Sequence, residues 1–219
     1  MKTPFTVDQF LKVFKDYNES VFPVQLFFYL IALLAIYLII KQNPKSNKIV
    51  VGILVFFWGW MGIVYHLTFF TVINKAAYLF GGVFILQGIL FFIYGVLKDR
   101  LIFRFNPDKY GITGAMLVFF ALVVYPVLGY FNGHAYPSSP TFGLPCPTTI
   151  FTFGILLLTD KKCPVAILII PFIWSIIGFM AAINFGITED TGLLVAGLVS
   201  LPLLLFRNRA YSKIKTIKA

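Results

Sequence analysis

Apolar residues along this chain come in long unbroken runs, without strand-like alternation. Val21–Ile40, Ile49–Asn74, Ala76–Leu97, Tyr110–Thr159, Cys163–Thr188 and Thr191–Phe206 contain no Asp, Glu, Lys or Arg. About 20 apolar residues carry a helix across roughly 30 Å of hydrocarbon, so each run predicts a membrane span. The Tyr110–Thr159 run is long enough for two, broken by Asn132-Gly133-His134 and a proline-rich stretch. The pattern predicts an all-α integral membrane protein, a seven-helix transmembrane bundle over residues 21–206. Its spans fall near 21–40, 49–68, 76–97, 111–131, 141–159, 164–184 and 191–206. A transmembrane barrel is excluded, because its strands alternate with a two-residue period in segments of about 10. Helices satisfy every backbone group within the segment, as hydrocarbon demands.

Residues 1–20 read differently. Val7, Phe10, Phe14, Tyr17 and Val21 recur at three- and four-residue steps, while Asp8, Lys12, Lys15 and Glu19 take the other face. This predicts an amphipathic helix lying in the membrane interface before Pro23 opens the first span. The segment has no apolar core of the signal-peptide kind, so no cleaved leader is expected.

Composition agrees: 59% of residues are hydrophobic and 12% charged, against about 45–50% and about 25% in soluble domains. The net charge of +10 would suit nucleic acid, but its placement argues otherwise. Of the 18 Lys and Arg, all but Lys2, Lys12, Lys15 and Lys75 fall in Lys41–Lys48, Lys98–Lys109, Asp160–Lys162 and the basic tail 207–219. Seven spans put those segments on one side, and the positive-inside rule makes that side the cytoplasm, with the N-terminus outside. The surplus then faces anionic lipid. Cys146 and Cys163 fall at opposite ends of the fifth span, so they cannot pair with each other.

Spans one to three also lie over spans five to seven, with span four as a linker. Pro23 and Phe27 match Pro147 and Phe151; Phe56, Trp58 and Gly62 match Phe172, Trp174 and Gly178; Gly82 matches Gly197. This predicts a three-plus-one-plus-three tandem repeat, a form found in sugar-efflux carriers, though that analogy concerns fold alone. Gly81, Gly88 and Gly95, Gly178 with Ala182, and Gly192 with Ala196 and Ser200 form small-residue stripes that let helices approach closely.

No nucleophile elbow, zinc-protease motif, phosphate loop or paired-cysteine spacing is present. Unusual polar residues gather at the outer ends of the spans instead, and the candidates for binding a solute or ion are His66, Gln87, His134, Cys146, Thr148 and Thr149. An imidazole in hydrocarbon needs a partner, so His66 is either bonded to an interfacial carbonyl or functional. Gln87 is either helix glue or part of a site. His66, His134 and Cys146, with nearby carboxylates, could hold zinc or copper, which would suit a metal-dependent enzyme at the outer leaflet. Glu189 and Asp190 read as caps of the last span. From Thr148 to Thr159 a helix rises only about 18 Å. Residues 141–147 are therefore expected to enter the membrane as irregular backbone, with Pro145 and Pro147 preventing a regular helix through Cys146. Such broken elements line cavities in transporters; a plain proline-rich cap over the bundle is the equal alternative. A transporter or channel for a small solute or ion is the leading reading; the metal enzyme and a non-catalytic assembly factor stand beside it. Oligomeric state is not encoded in any of these features.

The run Gly133-His-x-Tyr-Pro-x-x-Pro-Thr-Phe-Gly-x-Pro-Cys-Pro-Thr-Thr-x-Phe-Thr-Phe-Gly154, with Phe10, Phe14, Tyr17, Asn18, Phe22 and Pro23 upstream, resembles the pattern of an uncharacterised bacterial membrane family. This is number six-thousand-and-sixty-four of the domain-of-unknown-function series. The resemblance covers nearly the whole chain. It implies a bacterial multi-pass protein and supplies no activity; the inner membrane is the location expected for such a helical bundle.

Overall fold

The computed structural model describes residues 5–42 and 45–217, with side chains through Ser212. Lys2, Lys218 and the end of the basic tail lie outside the described residues and side chains. Among the described residues there are helices and two isolated bridges, and no strand. The helices are α1 (Val7–Val21), α2 (Val24–Lys41), α3 (Ser46–Trp60), α4 (Ala77–Phe91), α5 (Lys109–Phe119), α6 (Tyr125–Phe131), α7 (Pro145–Leu157), α8 (Ala166–Phe185) and α9 (Thr191–Ile217). Three rods widen into π-helical turns: α3 continues through Met61–Phe69, α4 through Phe92–Leu97, and Phe120–Val124 joins α5 to α6. Six rods are long and apolar enough to cross a membrane: Val24–Lys41, Ser46–Val72, Ala77–Leu97, Lys109–Phe131, Ala166–Phe185 and Thr188–Ser212.

The exception is α7, the expected fifth span. At 13 residues it rises only about 20 Å. All of its residues except Cys146 are buried, and it packs against α5, α8 and α9 as the axis of the bundle. Contrary to expectation, regular helix runs through Cys146. Pro145 and Pro147 sit in the first turn of α7, where helix N–H groups have no intrahelical partner and proline costs little. The irregular backbone lies before them. Gly143 allows it to pass, with φ +102 and a position where an added Cβ would meet the Phe28 ring at 2.1 Å.

The far end of α7 is closed by a residue from α9. Arg207 is 6% exposed and donates to the carbonyls of Leu157 at 2.9 Å and Leu156 at 3.1 Å, and also to Thr159 Oγ1. The Tyr110 ring lies 5.3 Å from its guanidinium. A cation on the last carbonyls of a helix meets the negative end of its dipole. Next to it, Asn208 exchanges two bonds with the Cys163 backbone, at 2.8 and 2.7 Å. Burial pushes the Cys163 thiol up to about 12, with Arg207 opposing. Loops gather at this basic end: Phe103 N donates to Asn47 Oδ1 at 2.8 Å, Asp160 N to Ile102 O at 2.7 Å, and Tyr211 Oη to Asp160 O.

The stripe of Gly81, Gly88 and Gly95 makes the close helix approach expected of it, and its partner is the α3 rod. A Cβ on Gly62 would stand 2.8 Å from Gly81 O, and one on Gly95 would stand 2.5 Å from Val51. The two halves, however, are not packed alike. α7 is the buried axis, while its sequence counterpart α2 lies at the perimeter with Leu26, Leu30, Leu33, Tyr37 and Ile40 exposed. Pro23 and Pro147 therefore occupy unlike places.

Gln87 is fully buried in α4, and its Nε2 donates to Ile167 O at 3.0 Å. That carbonyl lies four residues before Pro171, inside α8, where proline removes the usual helical donor. Gln87 thus replaces the missing N–H and ties α4 to α8. Gln87→Leu is expected to leave the carbonyl unpaired and cost about 1–3 kcal/mol, measured as a lower midpoint of thermal unfolding in detergent; an unchanged midpoint would refute this role.

Candidate functional site

The apolar face of α1 is buried on the bundle rather than in lipid. Thr6 and Gln9 cap the helix start reciprocally, and Phe5, Val13, Phe14, Tyr17 and Val21 join a cluster with Tyr65, Phe70, Ala77, Leu144, Ala182 and Phe185. The end of the bundle offers a ring-lined concavity that covers this face better than a flat interface. Burial pushes the Tyr17 hydroxyl up, against the bond that Trp60 Nε1 donates to it at 2.9 Å. Asn18, fully buried, fastens the helix to the loop before α7. Its Nδ2 donates to Pro137 O at 2.7 Å and Ser139 O at 2.8 Å, and its Oδ1 accepts from Thr141 Oγ1 at 2.7 Å.

Beneath this lid lies a cavity of about 170 Å³. Its walls are rich in aromatic rings, with Phe5, Phe10 and Phe14 from the lid side and Tyr65, Phe80 and Trp174 from the bundle. The polar side chains that border it include His66, Asn74, Cys146 and Asp190, and aliphatic residues complete the wall. Cys146 opens the first turn of α7, so the positive end of that helix points at the same space.

His66 comes from the π-helical part of the α3 rod. The wider turn carries an extra residue, and such turns recur at functional sites. The ring is fully buried, 4.6 Å from Phe84 and 5.3 Å from Trp174 between centroids, and neither nitrogen has a hydrogen-bond partner. Trp174 Nε1 points at the Cys146 sulfur. A polar atom left unpaired in a protein interior is costly, and His66 carries that cost at this cavity.

Asp190 is 5% exposed. Its Oδ1 accepts from Tyr125 Oη at 2.5 Å, and the Cys146 thiol lies against it. Its neighbour Glu189 turns away from the cavity, with Oε1 at 2.9 Å from His134 Nδ1 and Oε2 accepting from Asn132 Nδ2 at 3.3 Å.

Of the residues singled out in the sequence, the fold brings His66 and Cys146 to the cavity. His134 instead holds the loop to Glu189. Gln87 serves Pro171, Thr148 Oγ1 accepts from Gly143 N at 3.0 Å, and Thr149 is buried with its hydroxyl unpartnered; none of the three borders the cavity. The zinc or copper expectation for His66, His134 and Cys146 required their donors to converge, and among the described residues no group of three or more His, Cys, Asp or Glu does so. Sequence reasoning missed Asp190, Trp174 and Tyr65 as cavity residues, and Tyr125 as the partner of Asp190. The one available signal was a carboxylate pair interrupting two uncharged runs.

Long apolar helices around a buried axial helix define a membrane-embedded multi-pass protein. Residues 7–215 match the model of a family of unknown function, DUF6064, and the chain belongs to that family. No curated protein and no solved structure matches it.

Proposed function

We propose that the protein is a seven-pass carrier of small solutes in the bacterial inner membrane, with the cavity beneath α1 as its binding site. The observation that carries this reading is the cavity itself: a ring-rich chamber at one end of the axial helix, bordered by a carboxylate and by a histidine with unpaired nitrogens. Apolar pockets with a few convergent polar groups are the usual form of small-molecule sites. Intramembrane ionisable residues mark solute pathways. A second recess of about 290 Å³, bordered by Arg207, Leu157 and Thr159, lies at the other end of α7. Two recesses separated by one short helix suit alternating access, with α7 as the partition. In this reading the basic loops lie in the cytoplasm, as the positive-inside rule favours, and the lidded cavity faces outward.

Counter-flow in proteoliposomes over a panel of small organic solutes tests this. Ala182, buried at the cavity wall, is the residue to enlarge. Ala182→Leu is expected to reduce flux at least tenfold, and His66→Ala to change the apparent affinity. Flux that neither variant alters would remove the cavity from the mechanism.

A further inference from the structure

Resting on that reading, we infer that the solute is a small monovalent organic cation of the ammonium type, with Asp190 as its counter-ion. The first observation is a buried carboxyl group without a counter-ion. Glu189 is paired with His134, but among the described residues no Lys, Arg or His lies within ion-pair distance of Asp190. Its partners are the Tyr125 hydroxyl and the Cys146 thiol. Buried carboxylates are almost never left without a counter-charge, and within a membrane bundle the missing partner is commonly a transported ion or ligand.

The second observation is the wall material. Aromatic faces carry negative quadrupole potential, and several rings around one space form a cage for ammonium groups. Phe10, Phe14, Tyr65, Phe80, Trp174 and Phe185 all border the cavity. Size agrees with this class. A cavity of about 170 Å³ is slightly larger than the engineered void of roughly 150 Å³ that holds benzene, so it suits a solute of about six to ten non-hydrogen atoms. The positive end of α7 opposes a cation there, but a helix terminus counts for only about half a charge, less than one carboxylate. His66, with unpaired nitrogens at the cavity edge, would meet a hydroxyl or N–H on the solute.

The test compares two probes of the same shape on the purified full chain: choline and its uncharged carbon isostere 3,3-dimethylbutan-1-ol, titrated by calorimetry and by tryptophan fluorescence. Choline is expected to bind saturably and at least tenfold more tightly than the isostere. Asp190→Asn should weaken choline at least tenfold and leave the isostere unchanged. Should Asp190→Asn fail to give monodisperse protein, Ala182→Leu serves as the blocking variant and the choline-to-isostere ratio in the unmodified chain decides the charge question. Equal binding of the two probes, or choline binding that ignores Asp190→Asn, overturns the cation and leaves the solute site standing. If neither probe nor tetramethylammonium binds, the cation falls; if the counter-flow panel also shows no flux that depends on Ala182, the carrier reading falls with it.

Discussion

Replacing Arg207 by methionine is expected to lower the thermal midpoint of the protein in detergent by about 2–12 °C. The substitution keeps an unbranched apolar stem and removes the fork of donors. Leu157, at the end of α7, then loses the side-chain donor that reaches its carbonyl, whereas Leu156 O keeps the Thr159 hydroxyl and backbone N–H. A buried carbonyl left unpaired costs about 1–3 kcal/mol. For chains of 150–250 residues each kcal/mol moves the midpoint by about 2–4 °C, and relief from desolvating a buried charge trims the shift. Arg207→Lys should fall between the two, since an ammonium retains the charge on the helix terminus but cannot reach both carbonyls in a planar fork. A methionine variant as stable as the parent would show that α7 does not need this cap.

Asn18→Ala is expected to raise the rate at which a membrane-impermeant thiol reagent labels Cys146 by about 10–100-fold. The amide holds α1 to the loop at Pro137, Ser139 and Thr141, and Cys146 lies in the cavity beneath. Deleting it strands two carbonyls and a hydroxyl, a loss of about 1.4–2.8 kcal/mol for the closed lid, where every 1.4 kcal/mol is tenfold. Labelling reports the open population when opening is fast relative to reaction. The other cysteine does not interfere. Cys163 is buried at the opposite end with its thiol pushed up to about 12, and the thiolate is the reactive form, so it stays silent at neutral pH. Equal rates in the two proteins would mean that α1 is not the gate.

Much of the architecture was legible in the residue pattern because hydrocarbon leaves few options. Uncharged runs of 20 residues become helices, and Gly81, Gly88 and Gly95 mark a face of close helix packing. What escaped was anything that depends on the partner. The apolar face of α1 was visible from Phe10, Phe14 and Tyr17, yet lipid and protein cover such a face equally well in a sequence. Gln87 was visible as a polar intruder and Pro171 as a missing donor; only the packing of α4 on α8 makes one the answer to the other. Asp190 looked like a helix cap because it precedes an apolar run, and its real neighbours, Tyr125 and Cys146, come from distant segments. The π-helical turn that carries His66 has no composition of its own, so the direction of that ring could not be read from spacing. Pro145 and Pro147 misled for a related reason: proline disfavours the interior of a helix but is tolerated in its first turn.

The shortness of α7 has an electrical consequence. Hydrocarbon is roughly 30 Å thick, while α7 rises about 20 Å between a recess at Cys146 and another at Leu157. Once electrolyte reaches both recesses, most of the membrane voltage drops along this one helix, and the local field exceeds the bilayer average by about half. An elementary charge moved from the Asp190 end to the Arg207 end then takes up nearly the full 2.3 kcal/mol that about 100 mV supplies. Displacement currents from oriented membranes would register that movement directly.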